Sequence, residues 1–170
     1  MKKIINLTIF SVLILVMSSA VAQPKISDYL NKKFLDFPAF NEQGKVVRLS
    51  DVAGHGKPVV FIFWAYGDRD SFKFLPKLNY LLDKYKGKVI FIAGLLSRSD
   101  LKEVQKAKKL IPLKFPVWLV DYKAAVLYNI RKVDVPLILY IDEKGYIKNI
   151  VVRPKSVESV EKYVKDLIKE

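Results

Sequence analysis

The chain has 170 residues, of which 51% are hydrophobic and 12% aromatic; that is enough apolar material for one packed domain and excludes a disordered or fibrous chain. It contains no cysteine, which excludes disulfide bonds, lipid attachment through a cysteine and any reaction that needs a thiolate. The formal net charge is +13, a balance that suits anionic partners without choosing among nucleic acid, anionic lipid and acidic polymers.

Residues 1–22 read as a secretory signal peptide. Lys2 and Lys3 form a positive start, and residues 4–17 are mostly apolar, broken by Asn6, Thr8 and Ser11. Ala20, Val21 and Ala22 match an A-x-A cleavage site, which places the new N-terminus at Gln23. The apolar run is shorter than the ~20 residues of a spanning helix; an uncleaved anchor is the alternative. Either way the expected location is periplasmic or otherwise extracytoplasmic. Cleavage removes two lysines and no acid, leaving +11. The remaining lysines, such as Lys73, Lys77, Lys102, Lys106, Lys162 and Lys165, fall in helical segments and read as solvated helix faces. Export and the lack of an arginine–aromatic cluster argue against nucleic acid, and leave at most weak attraction to an anionic membrane surface.

Residues 23–35 form a lead-in with partial helical character, and residues 36–170 form the domain. Residues 37–40 and 46–49 predict two short strands joined as a hairpin by a turn-rich connector. His55, the only histidine, lies between Gly54 and Gly56 and has no further ligand at metal spacing. Residues 59–65 are continuously apolar, so they predict a strand buried on both faces. After a turn, Leu75, Leu78, Leu82 and Tyr85 recur at helical spacing, and Pro76 should kink that helix. Residues 88–96 predict a second central strand. Ser97 or Ser99 should cap the next helix, with Leu101, Val104 and Leu110 inward and Pro112 as its stop.

A shorter strand follows at residues 115–120, and Asp121 opens a small helix that runs to Tyr128. Residues 137–141 and 146–152 are strands around the turn Asp142–Gly145. A final helix starts near Pro154 and Ser156, with Val157, Val160, Val164 and Leu167 inward. Strands alternating with helices imply parallel crossovers, and the last hairpin an antiparallel edge. The fold class is α/β: a mixed central sheet flanked by helices in three layers, with an N-terminal β-hairpin.

Several stretches together carry a family resemblance: Gly44 to Leu49 followed by Ser50 and Asp51; Gly56-Lys57-Pro58-Val59-Val60; Phe63-Trp64-Ala65; Pro76; Phe115-Pro116-Val117 with Asp121; and Val135-Pro136 ahead of a strand, an Asp-x-x-Gly turn and another strand. Over residues 37–169 the chain resembles thioredoxin-fold proteins of the redoxin type found among secreted thiol-disulfide oxidoreductases and cytochrome c maturation factors. The resemblance implies a cis peptide bond before Pro136, and a C-x-x-C motif at the start of the helix after the first central strand. Counted from Trp64 and Pro76, the two cysteine positions fall on Asp68 and Ser71, within Asp68-Arg69-Asp70-Ser71.

A carboxylate and a hydroxyl cannot form a disulfide, nor can either become a sulfenic acid, so disulfide exchange and thiol peroxidase chemistry are both excluded. No cofactor or metal is expected. Asp68 or Asp70 is placed to cap the helix, as the cysteine would have been stabilised there. In the family an extended peptide lies beside the cis-proline loop. That implies a groove lined by Trp64, Tyr66, Gly67, Asp68 and Arg69 on one side and by Val135 and Pro136 on the other. Backbone pairing there needs no thiol. The expected function is therefore redox-inactive binding of a protein or peptide of the cell envelope. One alternative is a role in thiol-disulfide or cytochrome c maturation pathways with the thiols supplied by a partner. A second is a non-redox acid–base enzyme that uses Asp68 and Asp70.

Overall fold

The computed structural model describes residues 24–97 and 101–169. The expected leader, the new N-terminus at Gln23 and the candidate cap Ser99 lie outside the described residues.

Strand β1 (Pro38–Phe40) pairs antiparallel with β2 (Val46–Arg48). The Asn41 side chain closes the turn between them by accepting from the Gln43 and Lys45 N–H groups. The expected hairpin is thus present. β3 (Val59–Ala65) is buried along its whole length, as its unbroken apolar run requires. It runs parallel to β4 (Ile90–Leu96), which in turn runs parallel to β5 (Val117–Val120). On its other side β3 is antiparallel to β6 (Leu137–Ile141), and β6 pairs with the edge strand β7 (Ile147–Val152). The hairpin joins through β1 and β5, which gives the order β2-β1-β5-β4-β3-β6-β7 among the described residues.

Side chains alternate along β3, so one strand supplies both faces of the sheet. Val60, Ile62 and Trp64 face one helical layer. It is made by α1 (Arg69–Phe74), a 3-10 turn (Leu75–Leu78), α2 (Asn79–Lys84), α3 (Leu101–Leu110) and α5 (Val157–Leu167). Val59, Phe61 and Phe63 face the other layer, formed by α4 (Tyr122–Leu127) and the lead-in up to Phe37. Gly94 in β4 sits under the Phe61 ring; a Cβ there would lie 2.5 Å from it. No other residue type fits that position without displacing the ring.

Pro76 acts as expected. It sits at the start of the 3-10 turn that separates α1 from α2, so the helical stretch after β3 is broken rather than continuous. α3 departs from expectation. Val104, Ala107 and Ile111 point inward, whereas Leu110 is 61% exposed. Residues 104, 107 and 111 share one helical stripe, and 110 falls outside it. On α5 the expected stripe is buried at Val160, Val164 and Leu167, with Val157 partly covered.

Candidate functional site

β3 ends at Ala65, and the chain turns through Tyr66 and Gly67 into α1. Gly67 has φ +79°, a left-handed conformation that favours glycine. The Asp68 N–H then donates to the Ala65 carbonyl at 3.2 Å. Asp68 has extended backbone and is the N-cap of α1. Its Oδ2 accepts from the Ser71 N–H at 2.7 Å and from the Ser71 hydroxyl at 2.5 Å. The two positions on which the resemblance sets the family's cysteines are therefore bound to each other, as carboxylate and hydroxyl. An acidic cap of this kind is worth about 1 kcal/mol. Ser71 is completely buried, so its hydroxyl is closed to a substrate and cannot serve as a nucleophile. The groups at positions 68 and 71 fasten the helix start.

Asp70, on the first turn of α1, pairs instead with Arg153, which follows β7. Arg153 has φ +48° and makes two further links. Its backbone N–H donates to the Pro136 carbonyl at 2.8 Å, and its guanidinium donates to the Val133 carbonyl at 3.1 Å. The Val135–Pro136 peptide bond is cis, as the resemblance implied. Just upstream, Arg131 forms an ion pair with Asp134 at 2.8 Å and fixes the approach to Val135. The Arg131 guanidinium holds the Asp134 carboxyl below the usual carboxylate range. Arg153 thus ties the cis-proline loop to the helix start.

This geometry sorts the expected groove residues. Tyr66, Gly67 and Arg69 are exposed and Asp68 is half-buried. Trp64 is 0% exposed, with its ring centroid 6.0 Å from that of Phe72. Its Nε1 has no hydrogen-bond partner among the described residues. The indole is therefore core and not a groove wall: position 64 shares a face of β3 with Val60 and Ile62. Val135 is also 0% exposed and packs on the opposite core layer, so only its main chain is left to recognise anything. Among the described residues neither its N–H nor its C=O has a hydrogen-bond partner. Pro136 is buried at its ring but borders a concavity of about 250 Å³.

That concavity is lined by Asp70, Lys73, Phe74, Lys77, Pro136, Arg153, Pro154 and Lys155. Sequence reasoning found Pro136 and treated Asp70 as a cap. It missed the basic wall, because Lys73 and Lys77 meet Arg153 and Lys155 only through the sheet. A signal for part of it was present: β6 and β7 pair Leu137 with Val152, which sets Arg153 beside Pro136. The other singled-out residue, His55, donates from Nε2 to the Ser50 carbonyl at 2.7 Å, as a loop residue would. No group of three potential metal ligands occurs among the described residues.

The AhpC/TSA family model matches residues 30–150. A Bacillus cereus protein described as the thiol-disulfide oxidoreductase ResA is 28% identical over 176 aligned positions, which cover 98% of this chain and 99% of that protein. A Chlorobium tepidum structure assigned to the thiol:disulfide interchange protein DsbE superposes with a TM-score of 0.70 at 25% identity, over 82% of this chain and 97% of that one. A secreted Mycobacterium tuberculosis disulfide oxidoreductase homologous to E. coli DsbE gives a TM-score of 0.61 at 18% identity, over 77% of this chain and 96% of that one. The expected thioredoxin-like fold is the fold these structures share with the present chain.

Proposed function

Because this chain belongs to the AhpC/TSA family yet carries no cysteine, we propose that it is a redox-inactive thioredoxin-like protein of the cell envelope that binds an extended segment of a protein partner beside Pro136. The observation that carries this reading is the unpaired main chain at Val135, next to the cis bond. An unpaired buried N–H or C=O costs roughly 1–3 kcal/mol, and an added strand would satisfy both. Val135 has no exposed surface in the free chain, so a partner must first move aside the groups that cover the loop. The envelope location rests on the apolar leader at residues 1–22 and on the secreted character of the Mycobacterium tuberculosis relative.

Acid–base chemistry at Asp68 and Asp70 has no support in the geometry. One carboxylate is held by Ser71 and the other by Arg153. A role with partner-supplied thiols would use the same groove, with no electron passing through this chain's own side chains.

The test is amide-shift mapping of the isotope-labelled protein against short, extended, cysteine-free peptides. Binding should move the Tyr66, Gly67 and Val135 amides together. Shifts confined to other faces, or none with any peptide, would overturn the groove. A parallel disulfide-reduction assay should show no turnover above buffer.

A further inference from the structure

The concavity beside Pro136 has a floor and a wall of different chemistry. Phe74, Pro136 and Pro154 are apolar, while Lys73, Lys77, Arg153 and Lys155 bring four cations to one opening against the single acid Asp70. The Lys73, Lys77 and Lys155 side chains make no ion pair or hydrogen bond among the described residues, although Glu158 is near enough to Lys77 to feel its charge. Like charges that outnumber their counter-charges repel, so the cluster disfavours the free state and favours an incoming anion. Arg153, the only cation of the four in an ion pair there, is held by a carboxylate of the chain itself.

We infer that the groove is selective for acidic partner segments, and that a carboxylate of the partner takes the place of Asp70 on Arg153. This rests on the groove reading above and specifies the class of segment it takes. A cavity of about 250 Å³ suits a side chain rather than a flat surface. A glutamate stem would lie on Phe74, Pro136 and Pro154, with its carboxylate among the four cations. The exchange also links recognition to access. Arg153 connects Asp70 to the Val133 and Pro136 carbonyls on either side of Val135. When the guanidinium moves to a partner carboxylate, the tie between α1 and the cis-proline loop is released. The Val135 main chain then becomes available for strand pairing. Asp70 and Arg153 are both about half exposed, so water screens their ion pair and displacing it is not prohibitive.

The experiment compares three synthetic peptides of equal length, rich in glutamate, glutamine or lysine, by fluorescence anisotropy and amide-shift mapping on the full folded chain. The glutamate peptide should bind roughly tenfold more tightly than the glutamine peptide at low salt, and that preference should shrink as ionic strength rises. The Asp70→Asn variant should tighten the glutamate peptide by about two- to fivefold, because Arg153 is freed. The Lys73→Glu, Lys77→Glu double variant should abolish the preference. Both variants lie on exposed positions, and circular dichroism is the check that each retains the fold.

Equal binding of the glutamate and glutamine peptides would overturn the acidic selectivity and leave the groove reading intact. No binding by any peptide would overturn both. Weaker glutamate binding by Asp70→Asn would overturn the exchange on Arg153. Phosphate competing as well as the glutamate peptide, or binding confined to anionic vesicles, would show a general anion surface and overturn the peptide assignment.

Discussion

Asp68 takes over a structural duty at the position where the resemblance sets a reactive cysteine. The helix start offers free N–H groups, and a carboxylate satisfies one of them as a thiolate would, while Ser71 supplies a second donor to the same oxygen. The fold therefore keeps its helix without the chemistry. Other single residues carry more of the stability. The buried Tyr128 hydroxyl donates to the Leu35 carbonyl at 2.8 Å and accepts from the Leu35 N–H at 2.7 Å. Burial pushes its phenol well above the usual tyrosine range, so it stays neutral and can do both. Tyr128→Phe should leave both Leu35 groups unpaired and cost about 1–3 kcal/mol. Thermal unfolding should show a fall of several degrees; an unchanged midpoint would mean that water replaces the hydroxyl.

Among the elements, the helical layer is tied at the far end from the groove. Glu161 on α5 accepts from Lys84 at 2.7 Å and from the Tyr85 hydroxyl at 2.8 Å, at the end of α2. The Lys84 ammonium, then the Tyr85 hydroxyl, hold the Glu161 carboxyl down to about 2, against an ordinary value of 4.5. A carboxyl with a lowered folded-state pKa stabilises the fold above its unfolded value and loses that contribution as pH falls. The Glu161 contribution should thus be complete above about pH 4.5 and vanish towards pH 2. Asp134, paired with Arg131, adds to the same trend. So does Asp36, where burial pushes the carboxyl up but the Ser50 N–H and Arg48 outweigh it. Glu161→Gln should flatten melting temperature against pH across that window without abolishing the slope. An identical slope in both proteins would show that the α2–α5 tie contributes nothing. Which helix face packs inward was only partly readable at this scale: Val104 was clear, but Ala107 carries too little hydrophobicity to outweigh Leu110 in a pattern.

At the scale of the molecule, the scaffold should still accept the chemistry it lacks. Asp68→Cys together with Ser71→Cys restores a thiol at each matching position, with position 68 at the α1 N-terminus and position 71 buried. The double variant should reduce disulfides where the parent chain shows no turnover, and neither single variant should complete the cycle. A folded double variant that forms its disulfide but stays inactive would show that the groove has diverged beyond the two side chains. The sequence by itself determined the sheet strands, the Pro76 break and the absence of thiol chemistry, because each follows from local residue type or short spacing, while the cis Val135–Pro136 bond came from the family resemblance. It misplaced Trp64 in the groove, although the unbroken apolar run of β3 already required both its faces to be covered. The tertiary structure alone decided which carboxylate meets which cation. Asp70 and Arg153 lie far apart in the chain, and meet because α1 follows β3 while the β6–β7 register sets Arg153 beside Pro136. Charge at a surface acts through distance, and distance is fixed by the packing of the sheet rather than by order along the chain.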